Sequence, residues 1–288
     1  MAIQLAPKLS AEVHFYTRVA VDPKWSDYDP DAAEKYPESA AHLAEAQEKL
    51  QELKNQYMPS WPGIVATYSH GDIVEVVSTY IDKENIDFIV MGSSGADGIK
   101  EAIFGSNAQK IVRHAHCPVM VIKHPVDETN LSFKNIVFAS DFRPEARAAF
   151  QKLIHFAQHF GSHIHLVSVA SYPAVSVDED VKTRMEEFKK MAHSILKVSL
   201  HEFVDFNVEL GITHFAAEIK ADLIALANYG KDPIKRIFTG SVSETLVNHL
   251  EIPVLTLNTR DLKIWRGGGE IFAKKKIKYS IFKRQMFC

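Results

Sequence analysis

The chain has 288 residues, 46% of them hydrophobic and 24% charged, with a formal net charge of -3. That is a soluble globular composition, long enough for two domains with separate cores, and its slight acidity argues against a general nucleic-acid binder. Cys117 and Cys288 are its two cysteines, which excludes a disulfide framework and a thiolate-based zinc site, and no apolar run approaches the ~18 residues of a membrane span. The N-terminus has no basic region followed by an apolar core and a cleavage site, so the expected compartment is the cytoplasm.

In chain order, Met1 to Leu9 reads as the end of an amphipathic helix, with Ile3, Leu5 and Leu9 apolar and Pro7 awkward inside it. Glu12 to Val19 alternates as a strand, and Asp22 to Pro37 has the prolines and aspartates of a loop. Ser39 to Tyr57 carries Leu43, Ala46, Leu50 and Leu53 at helical spacing. Ile64 to Tyr68 is a strand, and Asp72 is placed to cap a helix running to Glu84. A strand at Ile86 to Met91, a glycine loop, a helix at Asn107 to His114 and a strand at Pro118 to Ile122 finish the first half.

His124 to Ser132 has no apolar period and reads as a linker. The domains are accordingly expected at 1–124 and 134–258, joined by 125–133 and followed by a basic tail at 259–288. The second half opens with a strand at Ile136 to Ala139 and a helix at Pro144 to Phe160 with Ala148, Leu153, Phe156 and Ala157 inward. A strand at Ile164 to Val169, a long helix at Asp178 to Val198, a strand at Val204 to Leu210 and a short helix at Thr213 to Lys220 follow. Strand Leu223 to Ala227, helix Val242 to His249 and strand Val254 to Leu257 close it. Alternating strands and helices imply parallel sheets covered on both faces, with ligands collecting at the carboxyl ends of strands.

One pattern occurs twice. Gly92-Ser93-Ser94-Gly95, nine residues, and Gly105-Ser106 follow the first of these apolar runs. Ala227-Asn228-Tyr229-Gly230, nine residues, and Gly240-Ser241 follow the second, displaced by 135 positions. Cys117 to Ile122 and Ile252 to Leu257 match at the same displacement, so the chain is an internal repeat of two related domains. A glycine loop between a strand end and a helix suits phosphate, because backbone N–H groups approach closely and the helix N-terminus is partly positive. Gly92 and Gly95 would allow the approach, Gly105 the turn into the helix at Asn107, and Ser106 would offer a hydroxyl. The same glycines also serve a purely structural turn.

The spacing Gly-x2-Gly-x9-Gly-Ser, the Pro118-Val-Met-Val-Ile strand and the Val137-Phe-Ala-Ser-Asp141 opening resemble the universal stress protein family in its tandem form. The resemblance covers Met1 to about Asn258. It implies two Rossmann-like, five-stranded parallel sheets in order 3-2-1-4-5, and binding of an adenine nucleotide, ATP with or without Mg2+. It also implies that Asp141 lies at the adenosine end of the site, the competing reading being a cap for the helix at Pro144. Registering Ala11 to His14 on Ser162 to His165 sets Met1 against Lys152, so the first half has no counterpart of Lys134 to Gln151. It therefore lacks its first, central strand and the aspartate, while the second half keeps Asp141 but has Ala227 in place of the first glycine.

A missing central strand leaves backbone groups without partners on both sides. Lys274 to Phe282 loosely echoes Phe133 to Ser140 and is a candidate to fill the slot; the alternative is a truncated start plus an unrelated, poorly ordered tail. Other chemistry is weaker. There is no Gly-x4-Gly-Lys-Ser/Thr loop and no Gly-x-Ser-x-Gly elbow, and Lys100 and Lys110 suit solvated surfaces. His114, His116 and Cys117, or His163 and His165, lack a third ligand placed by sequence. The expectation is a cytoplasmic stress-response regulator that binds an adenine nucleotide, with slow turnover at most and a homodimer or intramolecular domain pair. A nucleotide-free scaffold acting through dimerisation is the second reading, and an enzyme of a related adenine-nucleotide fold the third.

Overall fold

The computed structural model describes residues 1–61, 63–92, 106–123, 131–174, 176–229, 252–259 and 277–282, with the backbone alone at 106 and 277–282. The helix expected at Val242 to His249, most of the linker, and Gly95, Gly105, Gly230, Gly240 and Ser241 lie outside these residues. The first half runs α1 (Ala2–Leu9), β1 (Ala11–Val19), α2 (Ala32–Lys35), α3 (Pro37–Tyr57), β2 (Ile64–His70), α4 (Ile73–Glu84), β3 (Phe88–Gly92), α5 (Ser106–His114) and β4 (Val119–Ile122). The second runs β5 (Asn135–Ala139), α6 (Ala146–Gln158), β6 (His163–Ser171), α7 (Glu179–Ala192), β7 (Lys197–Asp205), α8 (Val208–Glu218), β8 (Leu223–Asn228) and β9 (Val254–Asn258). A last strand, β10, spans Ile277–Phe282.

Local chemistry accounts for these boundaries. Asp72 starts α4 by accepting from the amides of Val74 at 2.9 Å and Glu75 at 3.2 Å, which satisfies two donors that a helix end leaves open. Asn85, left-handed at φ 51°, ends it. The near-continuous apolar strands β3, β5, β8 and β9 are buried because helices cover both faces of the sheet. The long helix expected to Val198 ends instead at Ala192, and the strand expected at Val204 lies at Lys197–Asp205. Leu196, Leu200 and Phe203 recur at helical spacing, but nine-residue pairing with β6 makes 197–205 a strand. α8 then starts at Val208, capped by Asn207 on the amide of Leu210 at 2.8 Å, so it is not the short helix expected at Thr213. In α6 the inward residues include Ala146, Ala149 and Phe150, whereas Ala148 is only half-buried.

Instead of two separate five-stranded sheets, the strands among the described residues form one ten-stranded sheet in order β2-β1-β10-β3-β4-β9-β8-β5-β6-β7. Neighbours are parallel except β4 and β9, which meet antiparallel at the junction of the halves, Val119 facing Thr256 and Val121 facing Val254. The slot expected in the first half is filled: β10 lies parallel between β1 and β3. Phe282 stands against Tyr16 on one side and Met91 on the other. In the second half Ala139 stands against Val167 and Leu226, the repeat counterparts of Tyr16 and Met91. Both neighbours thus place β10 in the position of β5, and the tail is in this segment a central strand rather than a disordered extension.

Side chains tie the junction together. The last carbonyls of α5 and of the turn after it have no partner within the helix. Asn228 Nδ2 donates to the carbonyl of Val112 at 2.7 Å and Asn258 Nδ2 to that of Ala115 at 3.1 Å. Thr256 Oγ1 donates to the carbonyl of Val119 at 3.2 Å. Phe88 of the first half stacks on Phe156 of the second with ring centroids 6.0 Å apart, and Lys8 Nζ lies 5.2 Å from the Phe160 ring centre.

Candidate functional site

Because strands β10, β3 and β4 are parallel, their carboxyl ends form one rim, and Gly92 is the last residue of β3 on that rim. It is exposed and pairs with Ile122 of β4. α5 begins at Ser106, so its N-terminus faces the same rim that Gly92 leaves. Asn107, in its first turn, is half-buried. Gly92, Ser106 and Asn107 are therefore brought to one edge of the first half by a strand end and a helix start.

At the equivalent rim of the second half the residues make a different arrangement. Asp141 follows β5, and its carboxylate is engaged from two sides. Oδ1 accepts from the backbone amide of Arg143 at 3.2 Å and from the Tyr229 hydroxyl at 2.7 Å. Oδ2 pairs with Nε of Arg143 at 2.9 Å. Asp141 is not a helix cap: the cap position of α6 is Glu145, whose side chain makes no capping bond. The turn is held below by Ser140, whose hydroxyl oxygen accepts from the amide of Phe142 at 3.0 Å. Phe142 itself adopts φ 54° and is fully buried against Phe138 and Phe188.

Tyr229 and Arg143 were not singled out by the sequence. Tyr229 lies inside the second glycine-loop pattern, at the position of Ser94 in the first, and is buried at 4% exposure. Burial, then the Asp141 charge and the hydrogen bond to it, push its phenol well above the ordinary tyrosine range, so it stays a donor to Asp141. The aromatic residue in an otherwise small-residue loop was the available signal, but its partner lies 88 positions away. Nearby, Lys152 is buried and donates to the backbone carbonyl of Asn258 at 2.8 Å.

The two rims differ in sequence where they should match. Ala139 is followed by Ser140 and Asp141, whereas Phe282, in the same sheet position, is followed in the chain by Lys283 and Arg284. The histidines considered for metal binding also divide. His116 pairs with Asp82 at 2.9 Å, while the rings of His163 and His165 lie 3.9 Å apart between centres and tilted by 35°. Among the described residues no group of three His, Cys, Asp or Glu side chains is placed to hold a metal ion. No described helix is long and apolar enough to cross a membrane.

Comparison with known proteins agrees with the duplicated architecture. The profile of the Universal stress protein family matches residues 1–123 and again 132–258. A universal stress protein of Methanocaldococcus jannaschii is 31% identical over 129 residues, 44% of this chain and 74% of the relative. A similar protein of Archaeoglobus fulgidus, known from its crystal structure, superposes with a TM-score of 0.64 at 23% identity over 89% of both chains. A Pseudomonas aeruginosa protein described as functionally unknown superposes at 0.52 with 16% identity, over 88% of this chain and 94% of its own. These two structural likenesses concern the fold.

Proposed function

The chain belongs to the universal stress protein family, and from that premise we propose that it is a regulatory protein of the stress response that binds an adenine nucleotide, ATP, at the rim of its first half. The observation that carries this reading is the placement of Gly92 and Ser106: an exposed glycine at the carboxyl end of β3, followed across a Gly-x2-Gly-x9-Gly-Ser spacing by the N-terminus of α5. Backbone amides and the positive helix end there suit the phosphates. Gly95 and Gly105 complete the loop in sequence, and the Ser106 hydroxyl is assigned to the terminal phosphate.

The second half is assigned a lesser share. Gly230, Gly240 and Ser241 repeat the loop, but Ala227 adds a Cβ at the first position and the Asp141 carboxylate is held by Tyr229 and Arg143. An adenosine arriving there would have to displace Tyr229. Mg2+ would come bound to the nucleotide's phosphates, since among the described residues no group of three His, Cys, Asp or Glu side chains is placed to hold it. No general base or transition-state cation is positioned by the described residues, so the proposed role is ligand sensing with slow turnover at most.

The test is direct. The purified protein is heated to release bound small molecules, which are identified by chromatography, and its melting temperature is measured with and without ATP-Mg2+. The reading expects an adenine nucleotide or a raised melting temperature, lost in Gly92→Val and Gly105→Val. No nucleotide and no thermal shift would leave the second reading, an interaction scaffold acting through its sheets. The occupied Asp141 and the sheet continuous across both halves favour that alternative.

A further inference from the structure

The first half is built from two stretches of chain far apart in sequence, residues 1–123 and β10: β10 joins the sheet by strand pairing with β1 and β3, and the covalent route to it is the 17 residues 260–276. Without β10 the facing edges of β1 and β3 would stand two strand spacings apart, ~9.6 Å, too far for direct hydrogen bonding. Six register positions on β1 and four on β3 would then lose their partners inside a sheet covered by α1, α3 and α4. Such a slot accepts one kind of ligand, an extended segment entering parallel to both walls.

We propose that the slot between β1 and β3 is a strand-binding site for Ile277–Phe282, and that a second copy of this chain can fill it, each chain completing the other's first half in a two-fold dimer. The argument is one of identity and reach. A strand from another copy makes the same pairings as the chain's own strand, so the exchanged and closed forms differ only in the connection. The closed form is open to the wild type because of direction. β9 runs antiparallel to β4, so Asn258 ends at the edge of the sheet where Ile277 begins. Three strand spacings, ~14 Å, separate β9 from β10. A connection of 17 residues is long enough for that distance, and a tether of that length keeps the tail near its own slot at about millimolar effective concentration, so the monomer dominates in dilute solution.

Shortening the connection reverses the balance. Deleting Arg260–Lys275 joins Thr259 to Lys276 and leaves a reach of ~11 Å from Asn258 to Ile277, less than the span required. The shortened chain is expected to elute as a dimer at micromolar concentration with a melting temperature within a few degrees of wild type. A shortened chain that is monomeric with unchanged melting temperature would overturn the proposal, because its slot would need no strand. Should the shortened chain precipitate, the full-length protein decides. It is concentrated to about a millimolar, warmed close to its melting temperature, cooled and diluted onto a sizing column. A slowly decaying dimer, absent in Ser280→Pro, supports exchange through β10; no dimer, or one that Ser280→Pro leaves intact, refutes it.

Discussion

Replacing His165 with glutamine should remove a large part of the acid sensitivity of the second half. His165 lies on β6 with only 7% exposure, beside His163 and His201, under Phe215 of α8. Its Nδ1 is 3.1 Å from Nε2 of His201, a bond that needs one nitrogen to carry a hydrogen and the other to accept. Its Nε2 lies 3.4 Å from Oδ1 of Asn135. Charging both histidines would set two N–H groups against each other. Burial first, then the neighbouring His163, His201 and Lys197, push the His165 pKa from 6.5 down to about 4. His163 and His201 are lowered in the same direction, chiefly by burial, with Glu218 opposing the shift at His201. Ser199 of β7 also reaches this cluster, its hydroxyl lying 2.9 Å from Nε2 of His163.

The sign follows from proton counting. With a folded pKa below the unfolded value, the unfolded chain binds more protons between the two, so stability is complete above pH ~6.5 and falls as pH drops toward ~4. For one group shifted this far the whole loss is roughly 3 kcal/mol, and about 2 kcal/mol of it is gone by pH 5. Glutamine keeps polar atoms for Asn135 and His201 but does not titrate. Urea unfolding at pH 7.5 and pH 5, followed by far-ultraviolet circular dichroism, should show the variant less stable at pH 7.5 by about 1 kcal/mol. At pH 5 that gap should close or invert, a relative midpoint change of about 1 M urea. A gap that stays constant within about 0.5 kcal/mol across the two pH values would show that His165 protonates as readily in the folded protein as in the unfolded chain.

Three further outcomes test the packing around the second rim and the junction. Tyr229→Phe removes a donor from the Asp141 carboxylate; because Asp141 is 17% exposed and keeps Arg143, the loss should fall at the low end for a bond to a charged group, about 1–1.5 kcal/mol by thermal unfolding. Gly211→Ala places a Cβ 2.4 Å from Cγ1 of Val169 and 3.2 Å from Cβ of Asp205, so α8 must move off β6, costing about 1–3 kcal/mol in urea unfolding; unchanged stability would mean that the helix has slack. Asn258→Leu leaves the buried carbonyl of Ala115 without this donor, and about 1–3 kcal/mol should be lost, with faster amide exchange along the β4–β9 pairing than in wild type.

Much of the local structure was legible from residue order. Asp72 announced its helix by type and place, the apolar runs of β3 and β8 announced buried strands, and the displacement of 135 between the two Gly-Ser pairs announced the duplication. The boundary between α7 and β7 was not legible, since Leu196, Leu200 and Phe203 recur at helical spacing and only pairing with the neighbouring strand β6 makes 197–205 a strand. At the candidate site, Gly92 and Ser106 could be placed by spacing, because strand end and helix start are properties of adjacent residues. The engagement of Asp141 by Tyr229 could not, because it depends on β5 and β8 lying side by side.

The sequence by itself determined that two related α/β units exist, that residues 1–123 hold no counterpart of the strand Ile136 to Ala139, and that the intact glycine spacing belongs to that unit. Local propensity, turn chemistry and repetition are enough for each of these. Only the tertiary structure decided what stands beside β3: strand pairing is blind to distance along the chain, so a segment more than 180 residues downstream of Phe88 pairs with the strand that ends at Gly92.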